Sequence, residues 1–157
     1  MGSLRWADVE EDFQPDGALR DIYIEGTGEE DWQRVVDVVG TMNWPTRYFD
    51  ANSGSEPVSM PRAVGAIFAA CAGMCSWEIK PARAITINCH FFAVDEIEFD
   101  LNPSEIIGQP ELDVVVDFLR AIGDAARKPV ILCHENAPDT TFVSYDPRER
   151  HLRLARP

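Results

Sequence analysis

Two Cys-His dipeptides, Cys89-His90 and Cys133-His134, and the carboxylates Asp95, Glu96, Glu98 and Asp100 have the chemistry to bind a metal, move a proton or hold a cation. Zinc needs several nitrogen or sulfur donors converging on one point. Consecutive residues of a strand point to opposite faces, so neither dipeptide supplies two ligands to one ion. Cys89 falls in an apolar set and Cys133 ends an apolar run, which is how packed free thiols behave. Cys71 and Cys75 are four apart, which is not the Cys-x-x-Cys spacing of redox motifs, and core packing accounts for them. No metal site is expected.

A nucleophile and base can be drawn from Cys133 or Cys89 with His134 or His90, but triads assemble in space and their order in sequence carries little information. The chain has no Gly-x-Ser-x-Gly elbow, no His-Glu-x-x-His and no Gly-x-x-x-x-Gly-Lys loop. Gly26-Thr27-Gly28 sits where a phosphate loop would sit, but Glu29, Glu30 and Asp31 would repel a phosphate there. His134-Glu135 follows an apolar strand, a place where α/β proteins put functional groups and also simple exit turns. No catalytic residue and no cofactor is expected from these patterns.

The carboxylates belong to the most patterned stretch of the chain. Residues Ala84–Asn102 alternate apolar and polar on both sides of a short break, the signature of a β-hairpin. Ile85, Ile87, Cys89 and Phe91 share one face, as do Ile97, Phe99 and Leu101 on the return strand. Pairing Phe91 with Phe99 keeps both sets together and leaves Val94–Glu96 as a three-residue loop. In that register His90 lies across from Asp100 and Phe92 across from Glu98. A slip of one residue would press Glu98 into the core.

The elements around the hairpin follow from period and punctuation. Leu19–Glu25 and Thr46–Asp50 read as strands, and Cys75–Lys80 as a third. Pro129–Cys133 is a nearly continuous apolar run, expected as a central strand. Thr141–Tyr145 and His151–Leu154 close the order around an Asp146-Pro147 turn. Thr27-Gly-Glu-Glu30 suggests a capping box ahead of a helix that buries Trp32, Val35, Val36 and Val39, with Met42 on the same stripe. A second helix over Pro110–Arg127 turns Leu112, Val115, Val116, Leu119, Ile122 and Ala126 inward, and a short helix follows Pro61. The expectation is an α+β fold: a single mixed or antiparallel sheet of about five to seven strands with two main helices packed on one face. One globular domain covers residues 1–157, and residues 1–17 form an arm that lays Trp6 and Phe13 on the body.

Fourteen basic against 27 acidic residues give a net charge of −13 over 157 residues. Such a surface repels phosphate backbones and so disfavours nucleic acid. It attracts basic proteins and speeds their encounter. No apolar run approaches the roughly 20 residues that span a bilayer, and the first residues carry no secretory signal. A cytoplasmic location follows by default, with all four cysteines reduced.

The charge and the acidic hairpin face together suggest a small acidic protein-binding module. Its concrete form is an immunity-type inhibitor, such as a bacterial protein that neutralises a toxin by masking a basic surface. The partner-binding residues would be His90, Phe92, Glu96, Glu98 and Asp100, with the carboxylates pairing to lysine or arginine and Phe92 as apolar anchor. The alternative is a small hydrolase or cation-dependent enzyme using His90 with Glu98 and Asp100, or His134 with Glu135. Pairing of a sheet edge with a second copy, giving a homodimer, is a third expectation.

Overall fold

The computed structural model describes residues 3–71 and 73–155. Eight strands form one antiparallel sheet: β1 (Arg20–Glu25), β2 (Thr46–Phe49), β3 (Ser76–Ala82), β4 (Ile85–Ala93), β5 (Glu96–Leu101), β6 (Val130–His134), β7 (Val143–Asp146) and β8 (His151–Leu154). Their spatial order is β2-β3-β4-β5-β1-β6-β7-β8, and every neighbouring pair is antiparallel. The α+β class is as expected, and the strand count exceeds the expected five to seven. The edge strands β2 and β8 each make four cross-strand pairs.

The helices are α1 (Trp6–Val9), α2 (Glu29–Thr41), α3 (Val64–Cys71) and α4 (Gln109–Ala126). Trp32, Val35, Val36 and Val39 of α2 and Leu112, Val115, Phe118, Leu119 and Ile122 of α4 share one core with Ile22, Ile24, Ile87, Phe91, Phe99 and Leu132 of the sheet. The helices therefore cover one sheet face. Gly123 sets how closely α4 approaches: a Cβ there would lie 2.8 Å from Tyr145 Cδ1 and 2.9 Å from Val130 Cγ2. No described helix is long and apolar enough to cross a membrane.

The capping box falls differently from expectation. The N-cap of α2 is Gly28, whose amide donates to Asp31 Oδ2 at 2.9 Å. The Thr27 hydroxyl donates instead to Val94 O at 2.8 Å, and Thr27 N donates to Asp95 O at 3.1 Å. Trp32 Nε1 donates to Ala93 O and Val94 O at 3.2 and 3.1 Å. The start of α2 is thus used to clamp the tip of the β4–β5 hairpin.

The hairpin register is two residues away from the Phe91–Phe99 pairing. Cys89 pairs with Phe99 and His90 with Glu98, while Ala93 pairs with Glu96. Three steps on β4 match two on β5, a bulge that carries Phe92 as its extra residue. A shift of two preserves both faces, so the apolar sets still meet, and the loop shortens to Val94-Asp95.

The N-terminal arm packs as its aromatics imply. Trp6 stacks on Phe13 at 5.7 Å, and Phe13 meets Phe142 edge-on at 5.5 Å. Gln109, at the head of α4, accepts from Trp6 N at 2.7 Å and donates to Leu4 O at 2.9 Å.

Two of the four cysteines are not free thiols. Cys71 and Cys75 form a disulfide with Cα atoms 5.3 Å apart. The chain leaves α3 at Cys71 and reverses through Gly73, whose φ of +76° suits glycine, so the two Cβ atoms are brought together off the helix. Cys89 and Cys133 stay free and buried.

Candidate functional site

The face of the sheet turned away from the helices carries a polar array across β4, β5 and β1. Between β1 and β5 its cross-strand pairs are Asp21–Asp100, Tyr23–Glu98 and Glu25–Glu96. Between β5 and β4 they are Asp100–Asn88 and Glu98–His90. Two of these five pairs set carboxylate directly against carboxylate, an arrangement that destabilises a sheet. A fold under no other demand has no reason to place them so.

Burial sharpens the point. Asp21 is 3% exposed, Tyr23 6% and Asp100 9%, although no helix lies over them. The turn that follows β6 closes over the end of β1, with Asn136 N donating to Asp21 Oδ2 at 2.8 Å. The Tyr23 hydroxyl lies 2.9 Å from the same Asp21 oxygen and 3.1 Å from Glu98 Oε1. His90 Nε2 is 2.5 Å from Asp100 Oδ2, and Asn88 Nδ2 donates to Asp100 Oδ1 at 3.1 Å. The other side of the His90 ring is stacked flat on Phe92 at 4.9 Å. Phe92 itself is 58% exposed.

The charges respond to this crowding. Burial pushes the Asp21 carboxyl above its ordinary range, against the pull of the Asn136 and Tyr23 hydrogen bonds. Burial likewise raises Glu98, with the Asp21 charge adding to it, and raises Glu96, helped by Glu25. His90 is raised chiefly by its hydrogen bond to Asp100. The Tyr23 hydroxyl is held firmly protonated by burial and by Asp21.

All five residues singled out by sequence lie on or beside this array. His90, Glu98 and Asp100 are in mutual reach, Phe92 covers His90, and Glu96 is paired to Glu25 one rung beyond. The sequence reading missed Asp21 and Tyr23. The signal was present in Asp21-Ile-Tyr-Ile-Glu25, whose alternation puts Asp21, Tyr23 and Glu25 on one face. What sequence could not supply is that β1 lies beside β5.

The other candidates separate. Cys89 points to the core and His90 away from it, as the strand alternation requires. Burial pushes the Cys89 thiol well up and Cys133 up to about 12, so neither is a ready nucleophile. Among the described residues no group of three or more His, Cys, Asp or Glu side chains is placed to hold a metal ion.

His134 and Glu135 part company. Glu135 accepts from Leu19 N at 3.1 Å, whereas His134 Nε2 lies 3.2 Å from Asp12 Oδ1. That pair lines a cleft of about 670 Å³ with Asp139, Thr140, Thr141 and Phe142. His90, Glu98 and Asp100 line neither this cleft nor the smaller ones at Tyr48, Asp113, Arg127 and Ile107. Their side chains stand on the sheet face turned away from the helices.

Comparison of the chain with protein-family models, curated proteins and solved structures finds no match.

Proposed function

We propose that this chain is an acidic protein-binding module whose helix-free sheet face receives and masks a basic partner, in the manner of an immunity-type inhibitor. The observation that carries the reading is the ladder of like charges across β1 and β5, Asp21–Asp100 and Glu25–Glu96, with Glu98 between them. A cationic side chain laid on the accessible end of that ladder, Glu25, Glu96 and Glu98, relieves the repulsion, so association returns energy that the free fold gives up.

The parts divide the work. Glu25, Glu96 and Glu98 offer oxygen atoms to partner lysines or arginines. Phe92, held flat by its stack on His90, is a pre-set apolar anchor at the rim of the acidic strip. Asp100 is turned inward to His90 and Asn88, so its role is to position the ring under Phe92. The clamp of Thr27 and Trp32 on the hairpin tip keeps Phe92 and Glu96 in place before a partner arrives. The charge of −13 supplies long-range attraction that screens away with salt.

The enzyme alternative would use His90 with Glu98 and Asp100, or His134, which lies beside Asp12 in the cleft while Glu135 is bonded to Leu19 N. Panning the immobilised chain against a random peptide library separates the two readings. Sequences rich in lysine and arginine, carrying an aliphatic or aromatic residue, are the expected product. The double variant Glu96→Lys, Glu98→Lys should lose that enrichment about tenfold or more. Recovered peptides without basic bias, or equal enrichment on the double variant, would refute the proposal.

A further inference from the structure

The hydrogen count at the centre of the array does not close if every acid is ionised. Tyr23 has one hydroxyl hydrogen and two carboxyl oxygens within reach, Asp21 Oδ2 at 2.9 Å and Glu98 Oε1 at 3.1 Å. Were both acids ionised, one carboxylate oxygen would face the bare lone pairs of the tyrosine, which is 6% exposed. That is a costly arrangement. Asp21 Oδ2 already accepts the Asn136 amide, so it is the natural acceptor for the tyrosine hydrogen as well. The remaining contact closes when Glu98 carries a proton and donates it to the Tyr23 oxygen.

We propose that Glu98, Tyr23 and Asp21 form a proton-holding chain beneath the docking face, and that a basic partner is received in exchange for the Glu98 proton. The inference rests on the reading of this face as a docking surface. Before docking, Glu98 O–H donates to Tyr23 and Tyr23 O–H donates to Asp21. On docking, an ammonium or guanidinium of the partner donates to Glu98 and the Glu98 proton passes to water. Tyr23 keeps its own hydrogen on Asp21. One proton leaves and one cation arrives, so the face gains no net charge.

The groups around the chain support holding a proton there. From β5, Asp100 faces Asp21 and Glu96 lies one pair from Glu98. From β1 itself comes Glu25, and from β6 the neutral thiol of Cys133 opposite Asp21. The turn after β6 adds Glu135, and β4 adds His90, already hydrogen-bonded to Asp100. Burial raises both Asp21 and Glu98 above the ordinary carboxylate range. The exchange makes docking weaken as pH falls, by at most about tenfold per pH unit for one proton.

Two measurements on the full chain test this. In the first, side-chain carboxyl carbons are titrated by NMR in the free protein. Glu98 and Asp21 should titrate as a coupled pair, with one step well above the ordinary range. In Asp21→Asn the Asp21 charge is gone and the Tyr23 hydrogen is free to turn to Glu98, so Glu98 should fall back toward its ordinary value. Ordinary titration of both acids in the unmodified chain would overturn the proton-holding chain. In the second, oligolysine is titrated calorimetrically in buffers of different ionisation enthalpy. Proton release on binding is expected for the unmodified chain and should vanish in Asp21→Asn. Binding without proton release would overturn the exchange. A normal shared-proton titration with no oligolysine binding would instead overturn the docking reading and leave the proton chain standing.

Discussion

Replacing Arg20 by methionine lowers the free energy of unfolding by about 3–5 kcal/mol, the range for breaking a buried, fully bonded charge site. Arg20 is 1% exposed and lies on the helix-side parity of β1, under the N-terminal arm. Its Nε donates to Asp12 O at 2.6 Å and its Nη2 to Gln14 O at 3.0 Å. Its Nη1 reaches Ala18 O at 3.2 Å, Leu19 O at 3.1 Å and Asp16 Oδ1 at 3.1 Å. The planar fork satisfies five oxygens of residues 12–19 at once, which is why the arm folds back on the sheet. Methionine fills the space but donates to none of those oxygens. Arg20→Lys should recover little, since an ammonium has three hydrogens and no fixed fork. Denaturant melts of both variants check this; a loss under about 1 kcal/mol in Arg20→Met would contradict it.

Thermal stability should rise as pH is lowered from about 8 to about 5, the reverse of ordinary acid sensitivity. Asp21 and Glu98 have folded midpoints above their unfolded ones because burial disfavours their charge. The folded chain therefore holds protons that the unfolded chain has lost. The stability from these acids is complete below the unfolded midpoint and disappears as pH rises through the folded one. His90, raised by Asp100, has the same sign: its contribution is complete below about pH 6.5 and fades above that. Asp16 has the opposite sign, since its hydrogen bond to Arg20 lowers it, but that loss begins only below about pH 4. Two acids and a histidine therefore act on the melt with one sign. Melting temperatures read by circular dichroism across that range, at constant ionic strength, provide the check. Asp21→Asn should flatten the slope and melt higher than the unmodified chain near neutrality. A melting temperature that falls as pH drops from 8 to 5 would contradict the account.

Period-two alternation made the hairpin faces legible, and with them the position of Glu96, Glu98 and Asp100 on the side away from the core. The register was less legible because Phe92 is a bulge residue, and nothing in the local pattern distinguishes a bulged hairpin with a two-residue loop from a regular one with three. Thr27 followed by Glu30 has the letters of a capping box, but α2 starts one residue later with Gly28 as N-cap, and the Thr27 hydroxyl donates to Val94 O. That contact is tertiary and has no local trace. The same holds for Asp21 and Tyr23, whose partners lie on β5, more than 70 residues away in the case of Glu98. The disulfide was hidden for a different reason: Cys71 and Cys75 have helical spacing, and only the end of α3 at Cys71 turns the second thiol back toward the first.

The docking claim is tested most directly by mapping where a basic ligand touches the folded chain. Backbone and side-chain NMR shifts are followed while a lysine-rich peptide is added at low salt. The expected shifts centre on Glu25, His90, Phe92, Glu96 and Glu98 and weaken as salt is raised, with Thr140–Phe142 unmoved. Shifts gathered around His134 and Asp12, with the sheet face silent, would contradict it.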